Sequence, residues 1–362
     1  MKKKLLNNKI IFIILIIFIL FMSVIINFSN ADAEGFDNSS SEIVMDVNSG
    51  RVLYSKNADV KKFMASTTKI LTAIVIIESC DIDAKIEITD KTVGVEGSSI
   101  YLEKGEILSV KDLLYGLMLR SGNDCAETLA IYKSGSIGNF AELMNKKAEE
   151  IGAKNSHFVN PHGLHDDNHY TTAYDLALIS AYALKNSVFK EIVSTKKAVI
   201  PFTTRNTKRV LINKNKMLSE FDGATGVKTG FTKKAGRCLV SSCERNGFEI
   251  VSVVLNCPPM FERSKELLSN AFNKYSPVKL IESDNIVDFV EIENCNIKCP
   301  IYIKNDLVLP LSEYEKENVE IDYEIPNVLR APIKKDTEIG KIKISVKNNL
   351  IFTENLYTMI DI

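Results

Sequence analysis

The sequence carries no excess of charge of either sign. Its 45 lysines and arginines stand against 46 aspartates and glutamates, a formal net charge of −1 over 362 residues. That balance gives no global attraction to polyanions, and no basic stripe interleaved with aromatics runs along the chain. A nucleic-acid-binding role is therefore not expected. No internal repeat is evident, and no low-complexity tract beyond the N-terminal segment, which argues against solenoid arrays and long disordered linkers. None of the seven cysteines (Cys80, Cys125, Cys238, Cys243, Cys257, Cys295 and Cys299) forms a Cys-x-x-Cys pair. An odd number leaves at least one thiol unpaired within the chain. Mostly free, buried thiols are expected, with Cys295 and Cys299 the one conceivable bridge.

Apolar residues make up 45% and charged residues 25%, so the chain can bury a core, and its length suggests two domains. The N-terminus stands apart. Lys2, Lys3, Lys4 and Lys9 precede an unbroken apolar run from Ile10 to Ile26, and Ala31-Asp32-Ala33 then offers small residues for cleavage. Positive, apolar, small is the order of an export signal. Residues 1–33 read as a signal cleaved after Ala33 or as an uncleaved anchor. Either reading places the remainder outside the cytoplasm, at the cell envelope or secreted.

Beyond that segment, SEIVMDVNSGRVLYSKNA reads as a hairpin turning at Asn48-Ser49-Gly50. Helical periodicity is expected over Ser66 to Glu78, Lys111 to Leu119, Asp124 to Lys133, Phe140 to Ile151, Thr172 to Leu184 and Phe261 to Tyr275. Gly236 to Cys257 reads as strand, turn at Glu244–Gly247, strand. From about Ser276 helical periodicity vanishes, and short β-rich runs alternate with turn residues. The expected organisation is a domain over 34–275 and a small all-β domain over 276–362.

One residue in this layout needs a reason. Lys69 lies near the front of the otherwise apolar helix of FMASTTKILTAI, three residues after Ser66. An unpaired ammonium at a buried face is costly. On a helix, positions i and i+3 share a face, so Lys69 can stand over Ser66. A serine hydroxyl needs a base before it becomes a nucleophile. A lysine whose pKa is lowered by burial can be that base. Ser-x-x-Lys alone is weak, since it recurs at Ser187/Lys190, Ser194/Lys197 and Ser276/Lys279. Two further motifs follow in order: Ser121-Gly122-Asn123 between two helices, and Lys228-Thr229-Gly230 in GATGVKTGFTKKAG. Ser-x-Asn decoys at Ser55-Lys56-Asn57 and Ser283-Asp284-Asn285 fall outside that order. S-x-x-K, S-x-N and K-T-G in this order mark serine penicillin-recognising enzymes.

The sequence resembles the D-alanyl-D-alanine carboxypeptidases, the low-molecular-mass penicillin-binding proteins. MDVNSGRVLYSKNAD, ASTTKILTA, EGSSIYLEKGE, DLLYGLMLRSGNDCAETLA, NPHGL, HYTTAYDLA and GVKTGFTKKAG are similar to that family's blocks and occur in its order. APIKKDTEIGKIKI resembles its C-terminal domain. The resemblance implies an α/β fold of the β-lactamase/transpeptidase type, an antiparallel sheet flanked by helices, followed by the small β domain. It implies removal of the terminal D-Ala from peptidoglycan stem pentapeptides through an acyl-enzyme, without metal or organic cofactor, with β-lactams as inhibitors. Ser66 would be the nucleophile and Lys69 its base. Ser121 would pass a proton toward the leaving group, and Asn123 would hold the peptide amide. Lys228 and Thr229 would meet the substrate's terminal carboxylate, Gly230 would let the strand come close, and the N–H groups of Ser66 and Phe231 would form an oxyanion hole. Arg263 would stand as a carboxylate-binding arginine.

All four histidines, His157, His162, His165 and His169, fall in one short stretch. Their spacings of 5, 3 and 4, interrupted by Pro161 and Gly163, do not suit a metal site. Loop and capping roles are expected, with Thr171 or Thr172 as a helix N-cap. Cys125, next to the Ser-Gly-Asn motif, is read as a small buried side chain. The rivals are a β-lactamase, an endopeptidase or transpeptidase on the same substrate, and a catalytically silent wall-binding protein. No Glu-x-x-Leu-Asn stretch, which the first would need, lies between Asn123 and Lys228. Many relatives end in an amphipathic helix on the membrane. Here FTENLYTMIDI reads as strand, so membrane contact would rest on the N-terminal apolar segment.

Overall fold

The computed structural model describes residues 39–362, which form one compact unit; the expected signal or anchor over 1–33 lies outside the described residues. A five-stranded antiparallel sheet is built from both ends of the first part of the chain. Its strands are β1 (Ser41–Asp46), β2 (Val52–Lys56), β3 (Ala224–Thr232), β4 (Gly236–Arg245) and β5 (Phe248–Leu255), in the order β2-β1-β5-β4-β3. The central strand β5, FEIVSVVL, is buried along its whole length. Such a strand has no solvent face, so it reads as a nearly continuous apolar run. Its connection to β4 is the two-residue turn Asn246-Gly247, both at positive φ, which is the geometry that suits a hairpin's twist.

The alternation of strand side chains sorts them into two cores. Ile43, Met45, Val240, Val251 and Val253 face six helices: α1 (Lys69–Ser79), α2 (Val110–Leu119), α3 (Asn123–Ser134), α4 (Ile137–Ile151), α5 (Ala173–Leu184) and α6 (Ser187–Ser194). Val44, Leu239, Ile250 and Val254 face α7 (Met260–Lys274), with Met217 and Phe221 in the same cluster. The antiparallel sheet with helices on both faces is the expected fold. Two features depart from the sequence reading. The segment bearing Ser66 is a 3-10 turn, Ala65–Thr68, and the α-helix begins only at Lys69. A further hairpin, Lys197–Phe202 with Thr207–Ile212, stands apart from the main sheet.

Past α7 the structure is almost entirely β. Ser276–Ile281 pairs with Leu307–Leu311, and a six-stranded sheet gathers the remaining strands around its own core of Val290, Ile301, Leu309, Ile342, Ile344 and Leu356. The buried Arg51, beside β2, donates to the Pro310 carbonyl and to Glu315, tying the β region to the main sheet. All seven cysteines are unpaired, Cys295 and Cys299 included. Among the described residues no helix is long and apolar enough to cross a membrane.

Candidate active site

Ser66 and Lys69 are joined by the 3-10 turn. Such a turn has three residues per revolution, so i and i+3 eclipse one another. Lys69 Nζ accordingly lies 3.2 Å from Ser66 Oγ. The turn is set by two strained contacts. Ala65 holds φ 48°, a left-handed value that alanine rarely adopts. Gly163, at φ 86°, presses on it so closely that a Cβ there would fall 1.9 Å from the Ala65 carbonyl oxygen. Only glycine permits that approach.

Lys69 is 0% exposed. Its amine donates to Asn123 Oδ1 at 2.7 Å and to the His162 carbonyl at 2.6 Å. Neither acceptor carries a negative charge. Burial first, then the charge of Lys228, push its pKa well below the ordinary lysine value. Lys228, on β3, is 2% exposed, and its amine donates to the Thr229 carbonyl at 3.0 Å. Burial, with Lys214 nearby, lowers it to about 7.

Ser121 leaves the end of α2 at φ 64°, the left-handed conformation common just past a helix C-terminus, and Asn123 opens α3. Asn123 Nδ2 donates to the Glu96 carbonyl at 2.6 Å, so its amide is held at both ends. β3 is an edge strand of the sheet. At Gly230 it passes so close to the serine turn that a Cβ would meet Met64 O at 3.0 Å and the Ser66 and Thr67 nitrogens at 3.2 Å.

A cleft of about 400 Å³ opens here, lined by Ser66, Ser121, Thr229, Gly230 and Phe231, with Ser98, Lys214, Lys216, Arg237, Met260 and Phe261. Lys69, Asn123 and Lys228 are buried groups behind this lining. Eight of the nine residues singled out from sequence are thus gathered at one place. The ninth, Arg263, is not. It lies one turn into α7, where its guanidinium is held by Glu42 Oε2 at 2.7 Å, Glu266 at 2.8 Å and the Tyr54 hydroxyl at 3.0 Å. Glu42 is almost fully buried on β1 and needs a cation. Arg263 therefore serves the back of the sheet. The arginine that lines the cleft is Arg237, beside Phe231 across the β3–β4 ladder, with its guanidinium 5.0 Å from the Phe231 ring centre. Phe231 is 57% exposed.

Two of the three Ser-x-x-Lys decoys have lysines paired elsewhere. Lys190 pairs with Glu244 and Glu249, and Lys279 with Asp306. The histidines are engaged separately. His157 meets the Asn168 carbonyl and His165 meets Asp167. His169 Nδ1 accepts from Val159 N–H, so its protonated Nε2 donates to the Thr68 hydroxyl, which donates to Ala65 O. Burial holds His169 at about 3, hence neutral. It braces the serine turn. Thr172 caps α5, accepting from Asp175 N–H at 3.0 Å. Cys125 is fully buried, and burial first, then Asp124, push its thiol well above the usual range. Lys214, Arg237, Gly163 and the His162 carbonyl had not been assigned roles from sequence. The Asn-Pro-His-Gly-Leu stretch was the only signal for the last two.

Comparison with known proteins gives a consistent picture. Residues 30–258 match the D-alanyl-D-alanine carboxypeptidase family, and residues 275–362 match the penicillin-binding protein 5 C-terminal domain. The chain is 32% identical to the D-alanyl-D-alanine carboxypeptidase DacF of Bacillus subtilis, over 84% of this chain and 80% of that protein. Among solved structures, penicillin binding protein 5 from Haemophilus influenzae superposes with a TM-score of 0.77 at 30% identity, over 89% of this chain and 96% of that one. A variant of a Streptomyces DD-transpeptidase superposes with a TM-score of 0.61 at 32% identity, over 64% of this chain and 97% of that one.

Proposed function

The chain belongs to the D-alanyl-D-alanine carboxypeptidase family, and we propose that it removes the terminal D-Ala from peptidoglycan stem pentapeptides through an acyl-enzyme on Ser66. The observation that carries the mechanism is the environment of Lys69. Asn123 Oδ1 and the His162 carbonyl can only accept, and they stand 2.7 and 2.6 Å from Nζ. A neutral amine has two N–H bonds and one lone pair. Both N–H bonds go to those acceptors, so the lone pair is left for the Ser66 hydroxyl at 3.2 Å.

Lys69 takes the Ser66 proton as Oγ attacks the carbonyl between the two D-Ala residues. The oxyanion forms beside the Ser66 and Phe231 N–H groups. Collapse expels the D-Ala amine, which receives a proton by way of Ser121. Water then hydrolyses the ester. The leaving residue's carboxylate lies toward Thr229 and Lys228, in a cleft wall made positive by Lys214 and Arg237. Arg237 replaces Arg263 in this reading. Penicillins acylate the same serine. The domains proposed are 34–275 for the peptidase and 276–362 for the β domain. Work outside the cytoplasm, and any membrane contact, would rest on the apolar run from Ile10 to Ile26.

The test uses purified protein spanning Glu34 to Ile362, a Lys-D-Ala-D-Ala peptide and mass spectrometry of free D-Ala. Release by the wild type and none by Ser66→Ala is the expected result. Penicillin labelling of Ser66 without D-Ala release would overturn the carboxypeptidase assignment. Product that appears only with an added amine acceptor would move it to transpeptidation.

A further inference from the structure

The second acceptor of the Lys69 amine is a backbone carbonyl in a loop, and a loop carbonyl is only as well placed as the loop that bears it. Glu127 lies four positions along α3 from Asn123, which supplies the first acceptor. Positions i and i+4 share a helix face, so Glu127 points the same way one turn on. There its Oε1 meets His162 Nε2 at 3.3 Å, with both side chains largely buried.

The tautomer of His162 follows from its other nitrogen. Leu164 N–H donates to His162 Nδ1 at 3.1 Å, so Nδ1 is unprotonated. A neutral imidazole then carries its proton on Nε2, facing Glu127. Burial holds His162 at about 3, which keeps the ring neutral. Glu127 is itself raised, by burial and then by Asp124. The Nε2–H side of the ring therefore faces the Glu127 carboxyl oxygen as a close charge–dipole contact. It closes a ring of contacts: Lys69 amine, Asn123, one turn of α3, Glu127, the His162 side chain, the His162 carbonyl, and Lys69 again. Neither Glu127 nor His162 lines the cleft.

We propose that Glu127 is a positioning residue for the acylation step, acting through the His162 imidazole to hold the His162 carbonyl on the Lys69 amine. The claim rests on the reading of Lys69 as the base. If the carbonyl drifts, one N–H of Lys69 loses its acceptor and the lone pair is no longer confined to Ser66. The effect falls on the rate of proton transfer and leaves substrate binding alone.

The experiment follows acylation of the whole exported chain by a chromogenic cephalosporin in stopped flow. Varying its concentration separates the acylation constant from the dissociation constant of the non-covalent complex. Glu127→Met keeps the reach and helix preference of the side chain but removes the acceptor. It is expected to slow acylation about 10-fold with the dissociation constant unchanged, since small misplacements of a reacting group carry penalties of that order. Glu127→Gln keeps an amide oxygen for Nε2–H and is expected to retain most of the rate. The stoichiometry of covalent label counts competent molecules, so partial unfolding of a variant lowers amplitude and not the rate constant. Glu127→Met acylating at the wild-type rate overturns the proposal. So does an equal loss in Glu127→Gln, or a change confined to the dissociation constant. Ser66→Ala run alongside keeps the two readings apart: an unlabelled wild type refutes the nucleophile assignment, whereas a labelled wild type with an unaltered Glu127→Met refutes only this one.

Discussion

Lys69 Nζ stands 3.2 Å from the Ser66 hydroxyl, with its other near neighbours, Asn123 Oδ1 and the His162 carbonyl, both neutral acceptors. Among the described residues no carboxylate is bonded to it to hold it charged. The arrangement favours a free amine, whose task is to take a proton. Lys69→Arg keeps a donor and a charge but provides no base near neutral pH. It is expected to lower both D-Ala release and penicillin acylation by about 10³-fold, within the range for loss of general-base catalysis. Acylation rates at saturating penicillin check this, and a loss under tenfold would rule out the base role.

Lys228 titrates at about 7 because it is buried and faces Lys214. Its unfolded value is near 10.5. The folded protein therefore binds fewer protons than the unfolded chain between these values, and stability rises with pH across that window. Below about pH 7 the burden of the buried lysine is fully present. Lys228→Met is expected to be more stable than wild type at pH 7 by roughly 2–4 kcal/mol. The advantage should fade as pH approaches 10.5. Thermal melts across that range check the sign. A stability difference independent of pH would contradict the buried titration.

Gly230 is a matter of clearance. A methyl group there meets Met64 O at 3.0 Å and two serine-turn nitrogens at 3.2 Å. Gly230→Ala must push the edge strand away from Ser66 by a few tenths of an ångström. Stability should drop by about 1–2 kcal/mol, as for other overpacked sites. Acylation should slow about 10-fold or more, since the strand supplies the Phe231 N–H. The pair of measurements is a urea midpoint and an acylation constant.

The two arginines make opposite predictions. Arg237→Ala should raise KM for the peptide about fivefold with kcat little changed, as expected for loss of a solvent-accessible charge contact. Arg263→Ala should leave KM alone. It removes the closest cation from the buried Glu42 carboxylate, leaving Lys56 at 3.5 Å, and should cost about 1–3 kcal/mol of stability. Steady-state kinetics and melts on both variants decide it, and a KM effect from Arg263→Ala would restore that residue to the cleft.

Much of this protein was written in its sequence. Periodicity placed most helices, the alternation around Asn48-Ser49-Gly50 placed the first hairpin, and three short motifs named Ser66, Lys69, Ser121, Asn123 and Lys228. These signals are local, because they depend on neighbours within a turn or a strand pair. Other features depended on partners distant in the chain. Composition does not mark the segment carrying Lys228 as a strand, because GATGVKTGFT has three glycines and gains its order from pairing with β4. The eclipsed Ser66–Lys69 geometry comes from a 3-10 turn enforced by Gly163, nearly a hundred residues later. Arg263 has the chemistry of a carboxylate binder, but Glu42 on the opposite end of the domain claims its guanidinium. His162 looked like one of four loop histidines until folding set its ring on Glu127 and its carbonyl on Lys69. Residue chemistry and local spacing are fixed by sequence, and they determined which groups could react. Which of those groups meet, how deeply they are buried and which charges go unpaired depend on long-range packing, and only the tertiary structure decided them.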